Sequence, residues 1–249
     1  MAVDLNADVG ERDHPDGADD PVLDVVSSAS VACCGHAGSP AVMREVASSA
    51  LARGVVVGAH PSYPDRAAFG RRPMAMDAAA LADSLYEQIG ALVDAACAAG
   101  AAVHYVKPHG ALYNEMAVDE TLAGVVAGAV RAVGDLVVLV PAGSVAVRAV
   151  ARGGLRVACE GFADRAYRPD GRLVARDEPG AVHADPRQVA VQALALASGE
   201  PVPTGGGRAV RLAVDSICVH GDTPGSATLA RAIRRCLENA GMAIAPFAT

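Results

Sequence analysis

Short runs of β-branched and small apolar residues alternate along the chain with longer stretches whose apolar positions recur every three or four residues. The runs at 2–6, 28–32, 55–59, 102–106, 135–140, 155–159 and 213–219 predict seven strands. In one intervening stretch Leu81, Leu85, Ile89, Leu92 and Ala96 form a single stripe, which predicts a helix from a cap at Asp77 to Gly100. Three further helices open on a cap residue followed by proline, at Ser39-Pro40, Asp185-Pro186 and Thr223-Pro224. Proline at the first helical position gives up only a donor that has no helical partner. Gly54, Gly199 and Gly241 stand where helix C-terminal caps belong. Strands separated by helices pair in parallel through right-handed crossovers, so an α/β fold is expected, closed as a barrel or doubly wound. The stretch 160–184, with the turn-like Pro169-Asp170-Gly171, is expected to form a hairpin or lid after the sixth strand.

The length of 249 residues predicts one domain, 1–249. At 52% hydrophobic and 20% charged residues the chain has material for a large core, which excludes disorder as its main state. A net charge of −7 with scattered basic residues argues against a nucleic-acid partner. The absence of a cationic start and of apolar runs of membrane length predicts a cytoplasmic protein with no membrane partner. The cysteines Cys33, Cys34, Cys97, Cys159, Cys218 and Cys236 fit neither a disulfide framework nor a C-x-x-C metal site, and are expected as reduced core thiols.

In parallel α/β folds the loops after the strands share one face, and ligands bind there. Following the predicted strands stand Asn6, Asp8 and Glu11; Cys33 and His36; His60, Tyr63, Asp65, Arg71 and Arg72; Lys107, His109, Tyr113 and Asn114; Glu160, Asp164 and Arg165; His220 and Asp222. His36, His60, His109 and His220 each adjoin Gly or Pro, whose tight turns aim side chains over a sheet. Plain structural readings exist for each: Asp8 and Glu11 as helix caps or partners of Arg12, His36 and His60 as turn-fixing groups, Glu160 as the partner of Arg165. Asp222 either orients His220 or caps the last helix. His14 and His183 are expected in solvent, and His104 in the core or at its edge.

Lys107 stands apart, because 20 of the 21 basic residues are Arg. A lysine kept there points to a task for a compact ammonium, whose pKa falls on burial or which lies close to a small carbonyl or carboxylate. The competing account is a structural ion pair in the barrel mouth. Glu160, at the end of an apolar strand, is a candidate general acid or base.

The segments Asp4-Leu5-Asn6-Ala7-Asp8-Val9-Gly10-Glu11, Gly58-Ala59-His60-Pro61-Ser62-Tyr63-Pro64-Asp65, Phe69-Gly70-Arg71-Arg72, Val106-Lys107-Pro108-His109-Gly110-Ala111-Leu112-Tyr113-Asn114, Glu160-Gly161-Phe162-Ala163-Asp164-Arg165-Ala166-Tyr167 and Val219-His220-Gly221-Asp222 together resemble the LamB/YcsF family. Near the second strand the chain departs from that family's pattern. Ser30, Cys34, Gly35 and Ser39 stand where Asn, Gly, Phe and Asp are usual, with His36 kept, and Arg12-Asp13-His14 replaces Ser-Phe-Gly.

The resemblance implies a seven-stranded distorted (βα) barrel similar to glycoside hydrolase and deacetylase folds. It also implies work beside separate B and C subunits of an ATP-dependent 5-oxoprolinase, opening the lactam of 5-oxo-L-proline to L-glutamate with ATP hydrolysis. On that reading Lys107 meets the substrate carboxylate or a developing oxyanion, Glu160 or Asp8 activates water, and His109 or His60 protonates the ring nitrogen. Asn6, His36, Tyr63, Arg71, Arg72, Asn114, Arg165, His220 and Asp222 are expected around the substrate. No G-x-x-x-x-G-K-S/T loop occurs and Gly205-Gly206-Gly207 has no lysine after it, so ATP is expected to bind in the subunit complex. Alternatives are a metal-dependent deacetylase or amidohydrolase holding a divalent ion on Asp8, His36 and His60, a Schiff-base aldolase using Lys107, and a catalytically silent ligand-binding subunit.

Overall fold

A computed structural model describes residues 2–220 and 225–249. Its strands are β1 (Ala2–Val9), β2 (Ser28–Ala32), β3 (Val56–His60), β4 (Val103–Val106), β5 (Val137–Pro141), β6 (Val157–Phe162), β7 (Val202–Pro203), β8 (Ala209–Val210), β9 (Ser216–Val219) and β10 (Ala243–Ile244). The helices are α1 (Asp20–Leu23), α2 (Pro40–Ala52), α3 (Ala78–Ala98), α4 (Gly110–Met116), α5 (Glu120–Val133), α6 (Val145–Arg152), α7 (Pro186–Ala197) and α8 (Ser226–Asn239). The strands β1-β2-β3-β4-β5-β6-β9 pair in parallel in that order, and β9 pairs back onto β1, closing a seven-stranded barrel. The short β10 adds in parallel to the start of β1, and β7 and β8 form a separate antiparallel ribbon; none of these three is expected from the sequence pattern.

The predicted helix signals act locally as their chemistry requires. Asp77 Oδ1 accepts from the Ala79 and Ala80 amides at 2.9 and 3.4 Å, and Leu81, Leu85, Ile89, Leu92 and Ala96 are buried on one face of α3. Asp185 caps α7 through the Arg187 amide at 3.0 Å, and Ser39 caps α2 through Val42 at 3.3 Å. Gly54, Gly100, Gly199 and Gly241 take the left-handed conformation after their helices. The predicted cap Thr223-Pro224 lies outside the described residues.

Several strand bounds differ from the expected ones, β9 starting at Ser216 rather than at residue 213 among them, and those of β1 and β6 bear on the site. β1 runs on to Val9, and β6 is displaced toward its carboxyl end, so Asp8 and Glu160 are strand residues. Polar and glycine residues read as loop, but in this barrel they face a polar lumen. Along β1 alternate side chains point to opposite faces, so Leu5, Ala7 and Val9 join the apolar layer under the helices while Asp4, Asn6 and Asp8 turn inward. Midway along the lumen Tyr105 bonds Ser30 Oγ at 3.0 Å. It fits because residue 58 is glycine: a Cβ there would lie 2.2 Å from the phenol ring. The stretch after β6 folds as an irregular hairpin, with antiparallel bridges Arg165–Val182 and Tyr167–Leu173. All six cysteines are free, but only Cys33 and Cys218 are buried in the core; Cys34, Cys159 and Cys236 are half-buried and Cys97 is exposed on α3. No described helix is long and apolar enough to cross a membrane.

Candidate active site

Lys107 directly follows β4, its amide tied to the Ala59 carbonyl at 2.8 Å. Its side chain enters the carboxyl end of the lumen, where Nζ lies 2.8 Å from Asp8 Oδ1, 2.8 Å from Glu160 Oε1, 3.1 Å from Cys218 Sγ and 3.3 Å from Asn6 Oδ1. Asn6 Nδ2 donates to Glu160 Oε1 and to Ser216 Oγ, both at 2.8 Å, and Tyr113 Oη donates to Glu160 Oε2 at 2.6 Å. The Phe162 ring covers the ammonium at 5.3 Å. Thus β1, β4, β6, β9 and α4 converge on one buried cation.

Burial alone would push the Lys107 ammonium down. Contacts with Asp8, Cys218 and Glu160, the two carboxylates by their charge, outweigh it and hold Lys107 well above its ordinary value. The sequence reading allowed for a lowered value; two carboxylates at contact distance reverse the sign. Burial likewise opposes ionisation of Asp8, yet His60 and Lys107 hold its carboxyl well below the usual range. An ammonium clamped between two carboxylates is not the free amine that a Schiff base needs, which weighs against the aldolase alternative. Glu160 pairs with Lys107 rather than with Arg165. The Arg165 guanidinium is buried and donates to the Val174 and Ala181 carbonyls at 2.6 and 3.2 Å, holding the hairpin after β6.

Beside this cluster three imidazoles gather. His60 ends β3 and gives Nδ1–H to the Lys107 carbonyl at 2.6 Å, with Nε2 3.4 Å from Asp8 Oδ1. His109, at the amino end of α4, gives Nε2–H to the Phe69 carbonyl at 3.0 Å and turns Nδ1 to His60 Nε2 at 3.0 Å. His36 stacks on His109 with ring centres 3.7 Å apart and sets Nε2 3.1 Å from Glu11 Oε1. Burial and the neighbouring imidazoles press both His36 and His109 far below the ordinary histidine value. Of the metal ligands expected at Asp8, His36 and His60, the two histidines are gathered, but with Glu11 and His109; Asp8 Oδ1 is given to Lys107.

The remaining expected residues are spread around this centre. His220 stacks on Phe162 and bonds both Asp164 carboxylate oxygens at 3.0 Å, so Asp164 orients it; Asp222 lies outside the described residues. Tyr63 is buried but donates to Glu115 Oε2 at 2.8 Å. Arg71, Arg72 and Asn114 are all exposed, Arg71 with its guanidinium 4.7 Å over the Phe69 ring. His14 is exposed and His104 half-buried; His183 is half-buried and meets Gln188 at 3.0 Å. Glu11, Tyr113 and Asp164 stand in the sequence among the residues after the strands without a site role. Only the closed barrel shows what they touch.

A closed parallel barrel with a buried charge cluster and ordered histidines at its carboxyl mouth defines a βα-barrel protein whose candidate site lies at that mouth. The chain belongs to the LamB/YcsF family, whose profile matches residues 3–249. It is 53% identical over 251 residues to the 5-oxoprolinase A subunit of Mycolicibacterium paratuberculosis, covering 98% of each chain. The crystal structure of a lactam utilization protein from Thermus thermophilus superposes with a TM-score of 0.92 at 40% identity, covering 99% of this chain and 100% of that one. In fold alone the chain is similar to a family 4 carbohydrate esterase from Streptomyces lividans, with a TM-score of 0.50 at 14% identity over 98% of this chain and 91% of that one.

Proposed function

We propose that this chain is the lactam-opening component of an ATP-dependent 5-oxoprolinase, acting on 5-oxo-L-proline with separate B and C subunits. The observation that carries the reading is Lys107 held between Asp8 and Glu160 in the barrel mouth, in a family whose relatives bear that name. A five-membered lactam keeps its amine beside its acyl carbon, so effective molarity favours the closed ring and hydrolysis needs an added drive. ATP supplies that drive in the complex. Gly205-Gly206-Gly207 turns between β7 and β8 with no lysine after it, which does not fit a phosphate cradle, so no step is routed through the nucleotide on this chain.

In this reading the Lys107 ammonium faces the oxyanion that develops when water adds to the lactam carbonyl. Glu160 takes the proton from that water and returns it to the ring nitrogen as the C–N bond breaks, giving the amine and carboxylate of glutamate. Asp8, held far down the pKa scale, is the poorer base and keeps Lys107 charged. His109 does not serve as the acid: it is neutral at pH 7 and its N–H is committed to the Phe69 carbonyl.

Glutamate release by the chain assembled with its B and C subunits, with and without ATP, tests the reading. Lys107→Met and Glu160→Gln, checked for folding by circular dichroism, are expected to lose at least about 100-fold of the ATP-dependent rate. Full production by either variant removes that residue from the mechanism. Lactam or acetyl hydrolysis without ATP and partners would instead support the amidohydrolase alternative.

A further inference from the structure

The four donors Glu11, His36, His60 and His109 pose an electrostatic problem that the lactam chemistry does not use. A backbone carbonyl only accepts hydrogen bonds, so the carbonyl of Lys107 fixes the hydrogen of His60 on Nδ1 and the carbonyl of Phe69 fixes that of His109 on Nε2. In neutral rings the remaining nitrogens, His60 Nε2 and His109 Nδ1, are lone pairs facing each other at 3.0 Å, an arrangement that needs a cation, a proton or a metal ion, between them. Nearby oxygens add more acceptors: Asp8 Oδ1 lies 3.4 Å from His60 Nε2, and Glu11 Oε1 3.7 Å from His109 Nδ1. His36 cannot resolve the conflict. With its hydrogen on Nε2 it satisfies Glu11 and strands a buried Nδ1 lone pair; with the hydrogen on Nδ1, a buried donor goes unmet and a second lone pair faces the carboxylate. Convergent acceptors in a buried pocket call for a positive charge among them.

We propose that Glu11, His36, His60 and His109 hold a single divalent transition-metal ion of the zinc class. Three neutral imidazoles and one carboxylate are the donor set such borderline ions prefer. A tetrahedral ion with bonds of about 2.05 Å separates its ligands by about 3.4 Å. The close pairs here, at 3.0, 3.1 and 3.7 Å, bracket that value, and all four ligand atoms lie within 4.8 Å of one another. The hydrogen bonds from His60 and His109 to backbone carbonyls are the outer contacts that orient metal-binding histidines and raise their basicity. Three of the residues follow or end consecutive strands, β1, β2 and β3, and His109 opens α4 after β4, so parallel pairing itself assembles the set. Such an ion supplies Lewis acidity at the mouth, one carboxylate away from Lys107.

The test needs neither substrate nor nucleotide, so its outcome is independent of the lactam reading. The chelator-stripped full chain is dialysed against zinc and analysed by elemental mass spectrometry. The wild type is expected to take up one equivalent, with at least tenfold weaker uptake by His36→Ala and His109→Ala. Wild-type uptake no greater than that of the variants, or well below one equivalent, overturns the proposal. Should both alanine variants misfold, Glu11→Gln and the visible spectrum of the cobalt-loaded wild type decide. Ligand-field bands of a nitrogen and oxygen set are expected. A thiolate charge-transfer band, placing the ion on cysteines, or no visible band would overturn it.

Discussion

At the scale of single residues, the lumen stacks two polar layers with opposite electrostatics. Around Lys107 the charges compensate, whereas toward the amino end Asp4 has only hydroxyls: Ser27 at 2.6 Å, Ser28 at 2.8 and 2.9 Å, and Ser216. Burial outweighs these bonds and raises the Asp4 carboxyl from 3.8 to about 6. A carboxyl raised in the folded state favours folding fully below its unfolded pKa, and that stability is lost as pH climbs through the folded one. Between pH 4 and 6 the loss amounts to roughly 2 kcal/mol, at about 1.4 kcal/mol per unit of pKa difference. Urea unfolding across that range should therefore show stability falling with pH in the wild type relative to Asp4→Asn; parallel profiles would contradict this. Lys107→Met leaves Asp8 and Glu160 buried without their cation and should cost about 3–5 kcal/mol, read from the same experiment.

At the scale of elements, the helices were legible where periodicity and caps agree, as in α3. Replacing Asp77 by Ala strands two first-turn amides and should lower stability by about 1 kcal/mol in a thermal or urea melt. Strand ends were less legible, because apolarity was the signal sought. Glu160-Gly161 reads as a loop, yet Glu160 pairs with Ser216 and Pro141 inside β6 and presents its carboxylate to the lumen. Gly161 belongs to that strand because a Cβ would press against Val214 and Leu196 at 2.9 to 3.2 Å. Gly58→Ala meets a similar barrier at the Tyr105 ring and should destabilise the barrel measurably in a thermal melt. The departure at residue 35 is also steric. A side chain there would collide with Gln88 and Ser62, so the glycine is matched by Gln88 filling the wall beside His36.

Across the whole molecule, parallel closure explains why residues scattered from Asn6 to His220 meet. Every barrel strand delivers its carboxyl end to one mouth, and the sequence showed which residues stand there. It did not show which of them pair. Asp164 reaches His220 because β6 and β9 are neighbours, a relation set by closure across an insertion that holds α7 and the β7–β8 ribbon. Glu11 stands near Asn6 and Asp8 in the chain, but only the turn after β1 brings it to the imidazoles. The lactam reading rests on Lys107 and Glu160 acting together on the substrate. A crystal structure of the assembled complex with bound 5-oxo-L-proline tests this most directly. The lactam oxygen is expected within hydrogen-bond reach of Lys107 Nζ, with Glu160 facing the carbonyl carbon. A lactam seated elsewhere, with the Lys107 cluster still closed upon itself, would contradict the account.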